Sequence, residues 1–132
     1  MLQTIKVRTK SRTDLIDITY EIQQTITKSN VQSGYCIVYV PHTTAGIFIN
    51  ENADPTVCSD ISKTLDRLVP WKSDYQHLEG NSAAHIKSVI TGTSVNIIIE
   101  KGKLILGTWQ GVFFAEFDGP RDRTIIIKII EG

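Results

Sequence analysis

Apolar and polar residues alternate with a period of two from Leu2 to Thr9, with Leu2 and Thr4 facing one way and Gln3, Ile5 and Val7 the other. Asp14 to Ile18 continues in kind, so both stretches predict strands. The period then changes. Ile18, Ile22 and Ile26 fall four apart on one helical face, with Thr19 as the expected cap and Ser29-Asn30 and Gly34 marking the exit and the next turn. Tyr35 to Val40 and Gly46 to Asn50 are β-branched and aromatic, two core strands between which Pro41 to Gly46 either turns or crosses a gap. Asp54-Pro55 places a capping side chain ahead of a first-turn proline, and Val57, Ile61, Leu65 and Leu68 form the stripe of a helix that Pro70 ends.

Ser73 to Asn81 has the composition of a loop, and Ser82 to Thr91 predicts a short helix opened by Asn81 or Ser82 and closed by Gly92. Four strands follow: Ser94 to Glu100, Lys103 to Leu106, Val112 to Phe117 and Thr124 to Ile130. The turns between them are short, and strands joined by short turns pair antiparallel. The expectation is one α+β domain over residues 1–132, a mainly antiparallel sheet with two or three helices.

Composition narrows the function classes. The chain has 132 residues, 41% hydrophobic and 21% charged, inside the globular range. Fourteen basic residues offset fourteen acidic ones, so no overall field draws it to nucleic acid or to an anionic membrane surface. Its apolar runs, such as Ile97-Ile98-Ile99, fall far short of the ~20 residues that span a bilayer. Met1-Leu2-Gln3 leads straight into the first alternation without the pattern of a secretory signal, so a cytoplasmic protein is expected. Cys36 and Cys58 form no CxxC and sit among apolar residues, which favours buried free thiols over a disulfide or metal site.

Chemistry concentrates in the polar loops. His42 opens His42-Thr43-Thr44-Ala45-Gly46, His77 begins His77-Leu78-Glu79-Gly80-Asn81, and His85 lies in the first turns of the helix after Asn81. Three imidazoles could close on one metal with a position left for water, although none are spaced four apart on a helix; turn-stabilising or surface histidines are the alternative. His85 near a helix N-terminus also suits an acid or base, since the dipole there keeps the ring neutral. In Asn50-Glu51-Asn52-Ala53-Asp54-Pro55, capping and turn bonds account for every polar residue but Glu51. Gly107-Thr108-Trp109-Gln110-Gly111 suits either a hairpin turn or close backbone approach to a ligand, with Trp109 covering a heterocycle and Thr108 and Gln110 hydrogen-bonding it. Glu116 has apolar neighbours whichever way its strand faces, so it needs a partner or a raised pKa; Arg121 and Arg123 are the nearest partners.

Taken together, His42-Thr43-Thr44-Ala45-Gly46-Ile47, Asn50 to Pro55, Asn81-Ser82-Ala83-Ala84-His85-Ile86-Lys87, and Leu106 to Gly111 running into Glu116-Phe117-Asp118-Gly119-Pro120-Arg121 resemble the YjbQ family over essentially the whole chain. The resemblance implies a β-sandwich-like α+β fold, a homotrimer with polar clefts near its subunit interfaces, and a weak thiamine-phosphate synthase activity. In that reaction a thiazole phosphate nitrogen displaces pyrophosphate from a pyrimidine methyl diphosphate. The matching positions are His42, Thr43, Thr44, Asn50, Glu51, Asp54, His77, Glu79, Asn81, His85, Thr108, Trp109, Gln110, Glu116 and Arg121.

The chemistry asks for neutralisation of a leaving group, so Arg121, Lys87 and a divalent zinc or magnesium ion are assigned to phosphate. His42, His85, Glu51 and Glu116 stand as candidate catalytic groups, and Thr43, Thr44, Asn50, Asn81, Thr108, Trp109 and Gln110 as substrate contacts. No glycine-rich phosphate loop ending in Gly-Lys is present. Two other readings stay open: a metal-dependent hydrolase using His42, His77 and His85, and a non-catalytic module that binds a small anion or metabolite.

Overall fold

The computed structural model describes residues 1–132. Eleven elements follow in order: β1 (Leu2–Arg8), β2 (Asp14–Asp17), α1 (Thr19–Ser29), β3 (Ser33–Tyr39), β4 (Ala45–Glu51), α2 (Pro55–Leu68), α3 (Ser82–Thr91), β5 (Ser94–Glu100), β6 (Lys103–Leu104), β7 (Gln110–Glu116) and β8 (Asp122–Glu131). The protein is α+β, with three helices and two antiparallel sheets. One sheet has the order β1-β8-β3-β5-β6 and the other β2-β7-β4. No helix is long and apolar enough to cross a membrane.

The inner faces of the two sheets enclose one apolar cluster, Val38, Ile97, Ile125 and Ile127 from the larger meeting Ile47, Val112 and Phe114 from the smaller, with Ile22 and Ile26 of α1 closing it. Helices α2 and α3 cover the other face of the small sheet, where Ala84, Ala115 and Phe117 pack with Phe48, Leu65 and Trp71. β7 is therefore buried on both faces, and that explains the apolar residues on both sides of its alternation.

Two expectations need correction. Short turns were expected to pair the last strands in sequence order, but only β5 and β6 do so, through a turn with Lys101 and Gly102 at positive φ. β7 pairs with β2 and β4, and β8 inserts between β1 and β3. Both strands need two apolar neighbours, and the sandwich supplies them only by sending successive strands to different sheets. Thr19 is not the cap of α1 but its first residue, with Ile18 at the cap position; the Asp17 carboxylate accepts from the Thr19 N–H at 2.9 Å and from its hydroxyl at 2.6 Å. Asp54 caps α2 as its sequence predicts, accepting from the Thr56 N–H at 2.9 Å.

Pro41 to Thr44 crosses from the large sheet to the small one, and α3 is docked tightly over it. A Cβ on Gly46 would lie 2.6 Å from the Gly92 carbonyl oxygen, so only glycine lets the helix approach this closely. Ser88 Oγ donates to the Ala45 carbonyl at 2.6 Å, and the Ile47 N–H donates to the Gly92 carbonyl at 3.0 Å. These bonds fix α3, and with it His85, against the start of β4, next to the crossing loop.

Candidate functional site

Three segments meet at that crossing: the loop Pro41–Thr44, the connection from α2 into α3, and the turn between β7 and β8. They enclose a cavity of about 440 Å³ lined by His42, Thr43, Thr44, His77, Glu79, Asn81, His85, Arg121 and Arg123. Pro41 completes the lining, and every other side chain there is polar or charged. The three histidines therefore share one cavity, drawn from separate parts of the chain. The rings of His77 and His85 meet edge to face at 5.2 Å, and His77 Nε2 lies 3.8 Å from Glu79 Oε1.

His42 is held in one tautomer. The Thr124 N–H of β8 donates to His42 Nε2 at 3.0 Å, so Nδ1 carries the proton of the neutral ring. Burial, and then the Arg123 guanidinium, push its pKa below the ordinary imidazole value. His42 thus acts at neutral pH as a neutral hydrogen-bond donor.

Beneath the cavity lies a buried ionic network. Glu116 is 0% exposed and Arg123 6% exposed. Arg123 Nε donates to Glu116 Oε1 at 2.7 Å, and Arg123 Nη2 pairs with Glu116 Oε2. The Thr9 hydroxyl donates to Oε1 at 2.9 Å and the Asp118 N–H to Oε2 at 2.9 Å, so both oxygens are fully engaged. Arg123 also donates to the Thr44 hydroxyl at 2.8 Å, tying the crossing loop to β8. The work of Glu116 is to hold Arg123 and Thr44 in place; it does not line the cavity.

The rim is built similarly. Asp118 accepts from Arg121 Nη2 at 2.9 Å and from Asn81 Nδ2 at 2.9 Å, and its carbonyl accepts from Arg121 Nε at 2.7 Å. Asn81 is only 7% exposed, and its remaining atom, Oδ1, has no hydrogen-bond partner. An unpaired buried acceptor costs ~1–3 kcal/mol, so it calls for a donor from a ligand or an ordered water.

The other sequence candidates lie elsewhere. Ala45 pairs with Glu116 at one end of β4 and β7, and Glu51 with Gln110 at the other. Those ends are ~20 Å apart at the ordinary rise of a strand. Asn50, Glu51, Asp54, Thr108, Trp109 and Gln110 occupy the far end and do not join the cavity within one chain. Several have local work: Asn50 Oδ1 accepts from the Glu51 N–H at 2.8 Å, and Gln110 Oε1 from the Gly107 N–H at 2.7 Å. Trp109 is 63% exposed. Lys87 is buried in α3 and paired with Asp66 of α2, so its ammonium is not available to phosphate.

The expected metal centre is not formed by one chain. No group of three His, Cys, Asp or Glu side chains is disposed to hold a metal ion. His42 Nε2 is moreover already engaged by Thr124. The thiols do stay free: Cys36 is buried and Cys58 half-buried.

Sequence alone gives Arg123 only as a partner for Glu116; the structure makes it the link between Glu116 and Thr44. Its signal was legible, since Arg123 falls in phase with Ile125, Ile127 and Ile129 and so points inward with the buried face of β8. Thr9 and Asp118 carried no comparable signal.

A two-sheet sandwich with two helices on the outer face of the smaller sheet and a third closing the core, carrying a polar cavity where the chain crosses between sheets, defines the class of protein. Within that class the match is specific. The model of the UPF0047 protein YjbQ-like family covers residues 3–132, and the chain belongs to that family. It is 50% identical to the UPF0047 protein YugU of Bacillus subtilis, over 98% of this chain and 99% of that protein. It is 55% identical to a UPF0047 protein of Methanocaldococcus jannaschii, over 98% and 94%. Among solved structures, a YjbQ/UPF0047-family protein of Clostridium acetobutylicum superposes with a TM-score of 0.95 at 52% identity, covering 97% of this chain and 99% of that one.

Proposed function

We propose that the cavity binds the phosphate or diphosphate of a small organic molecule, and that the protein, as a cytoplasmic homotrimer, joins a pyrimidine methyl diphosphate to a thiazole phosphate. The observation that carries this reading is the donor-rich lining: two guanidinium groups, three imidazoles and two threonine hydroxyls face one lining carboxylate, Glu79. Glu116 and Asp118 pair with Arg123 and Arg121, so the two guanidiniums contribute oriented N–H donors at the lining rather than uncompensated charge. Adding to these is the N-terminus of α3, whose first N–H groups lack intrahelical partners and favour an anion.

In the reaction, the thiazole nitrogen lone pair forms a C–N bond at the pyrimidine methylene while the C–O bond to diphosphate breaks. The leaving pyrophosphate takes the electron pair. Arg121 and the imidazole N–H groups of His42 and His85 stabilise that charge as it develops. No step is routed through a metal ion, because the residues present do not form a ligand set. Assembly is supported by an apolar face of α3 beside the cavity, Ile86, Val89 and Ile90, of which Val89 is 83% exposed.

The test is thiamine phosphate formation from the two precursors. Wild-type protein is expected to form it and His85→Ala protein, still folded and of unchanged assembly, to lose it. Equal rates in both would overturn the assignment of His85, and no product from wild type would overturn the reaction. Inorganic pyrophosphate that stabilises the protein without turnover would leave the third reading of the sequence, an anion-binding module, in its place.

A further inference from the structure

A second cleft adjoins the polar cavity and shares His77 and His85 with it. Its volume is about 540 Å³, and its other walls come from the loop before α3 and the first turn of that helix. The character of the lining changes across the two rings. The cavity side carries the two guanidinium groups; the cleft side carries none, and sets Tyr75 and Ile86 beside the polar side chains of Asp74, Gln76 and Ser82. Tyr75 is held in place, its hydroxyl donating to the Pro70 carbonyl at 2.5 Å, so an aromatic side chain lines the cleft with part of its ordering cost already met.

We infer that this cleft is the subsite for the organic part of the ligand whose phosphate the polar cavity holds, and that the ligand is a phosphorylated flat ring bearing an amino or protonated nitrogen. This rests on the anion-binding reading above. The edge-to-face His77 and His85 rings form the wall between the two parts, Tyr75 and Ile86 pack on the ring, and Asp74 accepts from its nitrogen substituent. The assignment moves the ring-stacking role from Trp109, which lies at the far end of β7, to Tyr75.

Calorimetric titration of the full chain with inorganic phosphate, benzyl phosphate and 4-aminopyrimidin-5-ylmethyl phosphate tests it. The ring phosphates are expected to bind more tightly than inorganic phosphate, the aminopyrimidine most tightly. Tyr75→Ala should weaken both ring phosphates by about three- to tenfold, the worth of an aromatic contact, and leave inorganic phosphate unchanged. Tyr75→Phe loses the Pro70 bond but keeps the ring, so it should bind near wild type and separates stacking from loop stability. Arg121→Ala should weaken all three ligands. If ring and inorganic phosphate bind alike, or Tyr75→Ala weakens them equally, the subsite is overturned while the anion reading stands. If none binds, both fall.

Discussion

Replacing Glu116 by Gln changes one atom and removes the only counterion bonded to a guanidinium that is almost wholly out of solvent. The Glu116→Gln amide would also turn its N–H₂ toward one of two donor pairs, either Thr9 with Arg123 Nε or the Asp118 N–H with Arg123 Nη2. Breaking a buried pair from one side costs ~3–5 kcal/mol, because the surviving charge stays buried and unpaired. In a chain of this length that corresponds to ~10–20 °C in Tm. Arg123→Met should cost a similar amount by stranding the carboxylate. The double variant should cost far less than the sum of the two, since it leaves no bare charge. Denaturant unfolding of the four proteins at one fixed concentration closes the cycle. The reasoning is refuted if Glu116→Gln costs less than ~1 kcal/mol, as an exposed pair would, or if the two single effects simply add.

Three further outcomes follow from the same geometry. The pKa of His42 is lower in the folded chain than in the unfolded one, so below the ordinary imidazole range the unfolded state binds the extra proton. Stability should therefore be full above that range and fall as pH drops through it; His42→Gln, which keeps an acceptor for the Thr124 N–H, should flatten the drop in Tm, and an unchanged slope would remove His42 from the account. Burial pushes the Cys36 thiol up to about 11, so iodoacetamide at neutral pH should label half-buried Cys58 first and Cys36 only on unfolding, as mass spectrometry would read; equal labelling in the native protein contradicts this. Gly46→Ala should cost ~1–3 kcal/mol by forcing α3 away from β4, with an accompanying loss of phosphate affinity as His85 moves; a neutral variant would mean the docking is looser than described.

The elements were legible in the sequence because each carried its own period and its own punctuation. Ser82–Thr91 and Ser94–Glu100 begin and end where Asn81, Gly92 and Lys101-Gly102 say they should. Strand partners were not legible, because the apolar residues on both faces of β7 state that it is covered twice without saying by what. The cavity followed the same division. His42, His77 and His85 stand out in or beside polar loops, and their meeting in one cavity depends on α3 docking over a glycine whose role shows only in three dimensions. Lys87 misled for a physical reason: a lysine two residues beyond a histidine on a short helix points to another face, here the buried one, where Asp66 neutralises it.

The central claim is that an anion settles among the imidazoles and guanidiniums at the sheet crossing. Backbone amide spectra of isotope-labelled protein titrated with inorganic pyrophosphate test it most directly. The amides of Thr43, Thr44, Ser82, Ala83, His85 and Arg121 are predicted to shift together along one saturable curve, with those of Glu51, Thr108 and Trp109 unmoved. Shifts confined to Thr108, Trp109 and Gln110, or no saturable shift at all, would contradict it.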